Sequence, residues 1–410
     1  MATSTSRGRA LDTAAIRADF PIFETGVAYL DSSNTSQRPR QVIEAMEEYY
    51  FKFNSNIHRA AYSFAEQATE HYEGAREKVK RFINARSLKE VVYTSGTTES
   101  INLVARSWGE QNIGAGDLIV LTLLEHHSNI VPWQLLAARQ GARVEYVDID
   151  ENGELRQDQF RALLEQNPKL VAFTQVSNAM GTITPAKAMT AAAKAAGATV
   201  LVDGAQGAPH LGVDVRDLGC DFYAFGGHKM CGPTGIGILY GRRELLEAMP
   251  PFKSGGDMIR TVAVEGTTFN DLPWKFEAGT QPIAEVIGLG AAVDYVAGIG
   301  LEAIHEHEVD LTGYAYEALS ELPGIRIFGP PPARRSGVMS FDVEGIHPHD
   351  LATIADRHQV ALRAGHHCAM PLMTRLDVAA TARASFYFYT EKQEIDRLVE
   401  AVRDAQRIFA

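Results

Sequence analysis

Short, unbroken apolar runs alternate with stretches of helical periodicity across the first 240 residues. Runs at 91–94, 118–123, 144–148, 170–174, 199–202, 222–225 and 236–240 have strand length, and helix-like segments at 99–108, 132–139, 158–166 and 186–196 separate several of them. Before them, Val42, Ile43, Met46, Tyr49, Tyr50 and Phe53 recur at helical spacing over 39–53, with Pro39 suited to the first turn. Strands that alternate with helices predict an α/β fold with a mostly parallel seven-stranded sheet covered on both faces. In such sheets ligands bind beyond the carboxyl ends of the strands, so the loops after the strands are where chemistry is expected. After about residue 295 the rhythm changes. A helix over 299–321, the linker Gly329-Pro330-Pro331-Pro332, strands near 338–342 and 383–389, and helices near 348–358 and 391–409 predict a smaller α+β domain. The expected organisation is an N-terminal segment, 1–24, packing with the small domain, a large domain, 25–294, and a small C-terminal domain, 295–410.

Composition narrows the function. The 410 residues are 45% hydrophobic and 22% charged, enough for a sizeable core, so wholesale disorder is excluded. Lys plus Arg number 39 against 51 Asp plus Glu, a net charge of −12, which leaves no broad basic face for nucleic acid. No window approaches the ~20 apolar residues of a membrane span, and the opening MATSTSRGRA lacks the apolar core of a secretory signal and reads as a frayed tail. Three cysteines, Cys220, Cys231 and Cys368, are too few for a disulfide scaffold and favour a reducing, cytoplasmic location.

Four loops after strands carry candidate chemistry. Thr94-Ser95-Gly96-Thr97-Thr98-Glu99-Ser100 precedes a helix, where free N–H groups and the dipole favour a phosphate; taken alone, plain N-capping by Thr97 or Thr98 is the better explanation. Glu125-His126-His127-Ser128-Asn129 holds an adjacent histidine pair whose side chains diverge along extended chain, which suits one metal ion poorly. Asp203, in Val202-Asp203-Gly204-Ala205-Gln206, follows an apolar strand and needs a partner if buried; a turn-capping aspartate is the simpler alternative. Lys229, in Gly226-Gly227-His228-Lys229, would have a lowered pKa if desolvated and could bond a carbonyl, against the simpler case of a solvated lysine. Together the four are more specific than apart: a phosphate cradle, a ring-stacking histidine, an aspartate for a pyridine nitrogen and a lysine for an aldehyde are the fittings for pyridoxal 5'-phosphate. A fifth run, Arg363-Ala364-Gly365-His366-His367-Cys368-Ala369-Met370-Pro371, presents a thiol in a polar loop, and its three candidate zinc ligands are too crowded for one tetrahedral ion, so no metal is expected. Arg383 is a candidate for gripping a substrate carboxylate.

The runs around Asp203 and Lys229, with Gly232-Pro233-Thr234-Gly235-Ile236-Gly237, Phe276-Glu277-Ala278-Gly279-Thr280 and the Cys368 run extended to Met373, resemble the cysteine desulfurases of the class V aminotransferase group, Suf type (group II). The resemblance spans about Ile16 to the C-terminus. It implies the pyridoxal-phosphate fold type I, a homodimer, L-cysteine as substrate, with a selenocysteine lyase acting on L-selenocysteine or another class V pyridoxal-phosphate lyase as the alternative, and a Suf-type sulfur-acceptor protein serving iron–sulfur cluster assembly. It implies that Lys229 carries the cofactor and moves protons, that Asp203 and Gln206 contact its ring nitrogen and phenolic oxygen, and that His127 stacks on the ring and acts in acid/base steps. Thr97, Thr98 and His228 would hold its phosphate, with Thr280 reaching across from a second subunit. Asn178, Arg363 and Arg383 would hold the substrate, His58 and Arg59 would lie on the dimer-side loop beside the site, and Cys368 would be the nucleophile that carries the persulfide. Two positions depart from the family pattern: Gly226 stands where a serine is usual, and His58-Arg59-Ala60-Ala61-Tyr62 replaces a His-Arg-Gly-Ile-His-like run.

Overall fold

A computed structural model describes residues 11–58 and 61–410. The tail 1–10 and Arg59 lie outside the described residues. All seven strands expected in the first part of the chain form: Val91–Thr94 (β1), Leu118–Thr122 (β2), Arg143–Val147 (β3), Leu170–Thr174 (β4), Thr199–Asp203 (β5), Phe222–Gly226 (β6) and Gly237–Gly241 (β7). They make one sheet in the order β1-β7-β6-β5-β4-β2-β3, parallel except for β7, which runs antiparallel to both neighbours. The inner strands, and β1 at one edge, are buried on both faces, which is why they read as continuous apolar runs; β3 at the other edge alternates exposed and covered residues instead.

Strand periodicity divides the core in two. Val91, Tyr93, Val120, Phe173, Val202 and Phe225 face one layer, with Tyr49, Tyr72, Val79, Val286 and Leu289 from covering helices. The residues between them, Val92, Ile119, Leu121, Ala172, Leu201 and Ala224, face the other layer, with Ile101, Val104, Trp133 and Leu136.

Two helices of the first layer, Ser63–Phe82 and Ile283–Ile299, were not apparent in the sequence. The buried stripe of the first is largely alanine, Ala65, Ala68 and Ala75, with Tyr72 and Val79, so its apolar periodicity is faint. The second is apolar nearly all round and so has no face to detect. The domain boundary expected near 295 falls inside it; the chain turns at Gly300, whose φ of 94° favours glycine, and the next helix, Leu301–Ser320, departs at 71°.

The C-terminal part holds a four-stranded antiparallel sheet of Ile325–Phe328 (β8), Val338–Val343 (β9), Arg363–Gly365 (β10) and Thr381–Ser385 (β11), in the order β8-β9-β11-β10. The last strand was expected at 383–389 and lies earlier. Helices Pro348–Arg357 and Lys392–Phe409 cover it. The N-terminal segment packs here too: Arg17 donates to the Tyr389 carbonyl at 2.8 Å and to Glu394 Oε2 at 3.1 Å, and Phe20 and Phe23 sit against the Tyr389 ring. Among the described residues no single helix is long and apolar enough to cross a membrane.

Candidate active site

The loops that leave the carboxyl ends of β1, β2, β4, β5 and β6 converge on one cavity of about 340 Å³, closed on its far side by residues of the C-terminal sheet. Its floor near β1 is the N-terminus of the helix Thr97–Val104, whose first N–H groups have no partner within the helix. Glu99 also borders the cavity; its carboxylate accepts from Ser95 N at 2.6 Å and pairs with Lys253, and although burial pushes it up those contacts hold it below the usual range. The cradle lies tight against β7. A Cβ on Gly237 would come within 2.4 Å of Gly96 Cα, so only glycine lets these backbones meet.

Asp203 ends β5 and is buried, with Oδ1 accepting from Ala205 N at 2.9 Å. Burial pushes its carboxyl up; the Ala205 N–H and Lys229 pull it down. Lys229 stands in the turn after β6. Burial lowers its amine to about 8; Arg383 and Arg363 push the same way, while Asp203 and Cys368 oppose them. Near neutral pH a usable fraction of this lysine is therefore the uncharged amine. Gln206 donates through Nε2 to the Ser33 carbonyl at 2.6 Å, which leaves its buried Oε1 without a partner among the described residues. His228 lines the same wall, and burial lowers its imidazole to about 4.

The histidine assignment is corrected by the structure. His126, not His127, lines the cavity. His126 has an extended backbone (φ −68°, ψ 150°), so consecutive side chains point apart. Its Nδ1 lies 2.9 Å from Ser128 Oγ, and burial, with Lys229 next, lowers it to about 3, so the ring is neutral. His127 turns to the Cys368 loop and accepts from Met370 N at 3.0 Å. The turn between Thr122 and His126 breaks the strand's parity, so spacing alone did not tell the two apart.

The C-terminal sheet supplies the remaining wall. Arg363 on β10 and Arg383 on β11 are cross-strand partners and both line the cavity. Buried Arg383 donates to the Asn178 carbonyl at 2.9 Å and to Asp31 Oδ1 at 2.8 Å, while its Nε has no partner among the described residues. Cys368, half-buried, lines the same cavity. It and His367 adopt φ of 56° and 52°, unusual for residues with a Cβ. Cys220 and Cys231 are buried elsewhere in the core, and burial pushes both thiols up.

The family description Aminotransferase class-V matches residues 28–398. The chain belongs to the class-V aminotransferase family. Similar relatives are a probable cysteine desulfurase of Halalkalibacterium halodurans, 49% identical over 96% of this chain and 98% of the relative, and one of Staphylococcus epidermidis, 50% identical over 97% and 98%. Among solved structures, the cysteine desulfurase CsdA of Escherichia coli, in an S-sulfonic acid form, aligns with a TM-score of 0.92 at 40% identity, covering 98% of this chain and 100% of that one. The apo cysteine desulfurase of Thermococcus onnurineus NA1 aligns at 0.93 with 39% identity and the same coverage.

In this class-V aminotransferase chain the cavity gathers Thr97, Thr98, Asn178, Asp203, Gln206, His228, Lys229, Arg363, Cys368 and Arg383. It does not gather Thr280 or His58. Thr280 borders a separate cleft with Ser95 and Lys253, next to Glu277, whose buried carboxylate accepts from Arg76 at 2.7 and 2.9 Å and from Tyr93 N at 2.9 Å. Breaking that pair would cost about 3–5 kcal/mol, so the Glu277 run is an anchor for the segment that carries Thr280. His58 lies beside Glu73, 3.0 Å away, in another cavity of about 310 Å³ lined by Trp274. Besides His126, the sequence reading also missed Ser33 and Asn34, which enter the wall from an irregular segment with no motif to mark them.

Proposed function

We propose that this chain is a pyridoxal-phosphate-dependent L-cysteine desulfurase that releases L-alanine and leaves the sulfur as a persulfide on Cys368. The observation that carries the reading is that one cavity of about 340 Å³ is bordered by a half-buried lysine, a buried aspartate and a half-buried cysteine. The residues fit the cofactor: buried Gln206 Oε1 lacks a partner among the described residues, Asp203 is buried facing the same space, and the helix N-terminus at Thr97 and Thr98 offers free N–H groups. When bound, the cofactor supplies an electron sink that makes the substrate's α-proton acidic and its sulfur a leaving group.

Each residue then has a task. Lys229 holds the aldehyde, and as a neutral amine it accepts the α-proton. Asp203 would keep the ring nitrogen protonated, Gln206 would meet the phenolic oxygen, and neutral His126 would pack on the ring. Thr97, Thr98 and His228 hold the phosphate. Asn178, Arg363 and Arg383 orient the substrate carboxylate. Cys368 attacks the substrate sulfur: the substrate C–S bond breaks, an S–S bond forms, and the β-carbon keeps the electron pair and takes a proton. The transferred sulfur is oxidised to the sulfane level as that carbon is reduced, so no external oxidant is consumed. Thr280, His58 and Arg59 act at the site of a second copy in a homodimer, since the first two lie outside the cavity of their own chain. A Suf-type acceptor in the cytoplasm then takes the sulfur for iron–sulfur cluster assembly.

The test is to incubate the cofactor-loaded protein with L-cysteine and to measure alanine and the mass of the Cys368 peptide. Stoichiometric alanine and a gain of one sulfur on Cys368 are expected; alanine without sulfur on that residue would sink the reading.

Two further outcomes follow here. Arg383→Lys keeps a charge but loses the planar fork, so KM for L-cysteine should rise on the order of tenfold with a smaller change in kcat, read from initial rates. At Gly226 the backbone is extended (φ −125°) and an added Cβ would lie 3.3 Å from Thr97 Oγ1. Gly226→Ser therefore places a hydroxyl beside Thr97, whose own hydroxyl must give by a few tenths of an ångström, and should tighten cofactor binding by about 2- to 10-fold in an absorbance titration.

A further inference from the structure

The loop that carries Cys368 holds two consecutive non-glycine residues in the left-handed region, His367 and Cys368. Such a conformation persists only where the surroundings over-determine it. On its N-terminal side the loop is tied to the cavity wall: Asn178 Nδ2 donates to the His367 carbonyl at 2.7 Å, and His367 Nε2 lies 2.9 Å from Thr381 Oγ1. On the other side one residue makes two bonds. The His127 N–H donates to the Cys368 carbonyl at 2.8 Å, and the His127 ring accepts the Met370 N–H at Nε2 at 3.0 Å. His127 is also joined by one peptide bond to His126, which lines the cavity.

We infer that His127 is a positioning residue for sulfur transfer, a clamp that holds the Cys368 loop against the β2 loop and so fixes the distance from the thiol to the cavity. The geometry carries the inference in three respects. The ring nitrogen that meets Met370 N is an acceptor, so the bond requires a neutral imidazole with its proton on Nδ1. Burial and the neighbouring His366 ring, 5.6 Å away, both lower the pKa of His127 and so favour that neutral form. Both bonds lie on the C-terminal side of Cys368, opposite the Asn178 bond to the His367 carbonyl, so the loss of one frees one flank of the residue whose backbone is least able to hold its shape alone. His127 touches neither the cavity nor Lys229, so its effect must act through the loop. The inference rests on the proposed desulfurase reading.

The experiment compares cofactor-loaded wild type, His127→Leu and His127→Gln. Leucine removes the ring acceptor and leaves the backbone donor; glutamine returns an acceptor at about the reach of Nε2. For His127→Leu the visible absorption of the bound cofactor and KM for L-cysteine should stay within about twofold of wild type. The kcat for alanine formation should fall on the order of 10²-fold, as a misplacement of about 1 Å does, and amide exchange at Met370 should speed by about tenfold or more. His127→Gln should recover most of both losses. Unchanged kcat and unchanged Met370 exchange in His127→Leu would overturn the inference. So would a loss of cofactor absorption or a large rise in KM, which would place His127 on the cofactor or substrate, and so would a folded glutamine variant that recovers neither loss. If His127→Leu fails to fold, His127→Asn, an acceptor too short to reach Met370 N, takes its place with the same expected split from His127→Gln. Wild-type enzyme that forms neither alanine nor persulfide would defeat the desulfurase reading instead, and the Met370 exchange would still report on the clamp.

Discussion

Lys229→Ala is expected to give a folded protein that binds pyridoxal 5'-phosphate without a covalent bond, lacks the visible band of the lysine-linked form and has alanine production lowered by about 10⁴-fold, the upper range for a positioned proton-transfer group. The fold should tolerate the change. Lys229 is half-buried with its amine lowered to about 8, so burial already disfavours its charge, and the substitution breaks no salt bridge among the described residues. A thermal unfolding midpoint near that of wild-type apo-protein, with no visible band after addition of cofactor and no alanine by chromatography, is the expected set of results. A normal band would place the covalent attachment on another amine. The same lowered value sets a pH dependence. Only the neutral amine attacks an aldehyde, so covalent capture of the cofactor by the apo-protein should speed as pH rises through about 8 and level off above it, measured by stopped-flow absorbance. The direction follows from burial and from the Arg383 and Arg363 charges, which favour the uncharged form against the pull of Asp203 and Cys368.

Cys368→Ser should separate cofactor chemistry from sulfur transfer. The cofactor band and the spectral change on addition of L-cysteine should persist, because Lys229, Asp203 and His126 are untouched. Alanine production should fall on the order of 10³-fold, and no sulfur should be found on the protein, because a hydroxyl at neutral pH is a far weaker nucleophile than a thiolate. With L-selenocysteine as substrate, retained turnover in this variant would show that release of the heavier atom does not need the thiol. The geometry favours a large effect on L-cysteine: Cys368 borders the same cavity as Lys229, on a loop tied at both ends to the large sheet's loops through Asn178 and His127.

Much of this molecule was legible in its sequence. Continuous apolar runs such as Leu170–Thr174 and Phe222–Gly226 mark strands buried on both faces, because a parallel sheet covered by helices leaves no polar side to interrupt them. Asp203 and Lys229 stand directly after such runs, so their place at the carboxyl edge of the sheet follows from the fold class. Cys368 is marked by the run around it. What the sequence did not contain was direction. Which of His126 and His127 faces the cavity depends on how the chain leaves β2, a turn whose backbone angles no periodicity encodes. The pairing of Arg363 with Arg383 exists only once two strands, separated by a helix and the Cys368 loop, lie side by side. The helices Ser63–Phe82 and Ile283–Ile299 escaped because an alanine stripe and a uniformly apolar surface both lack the contrast that periodicity needs. Local pattern determined which residues are buried and which loops carry reactive groups; only the packing of the two sheets decided which of those groups share one cavity, because that depends on contacts between residues distant in the chain.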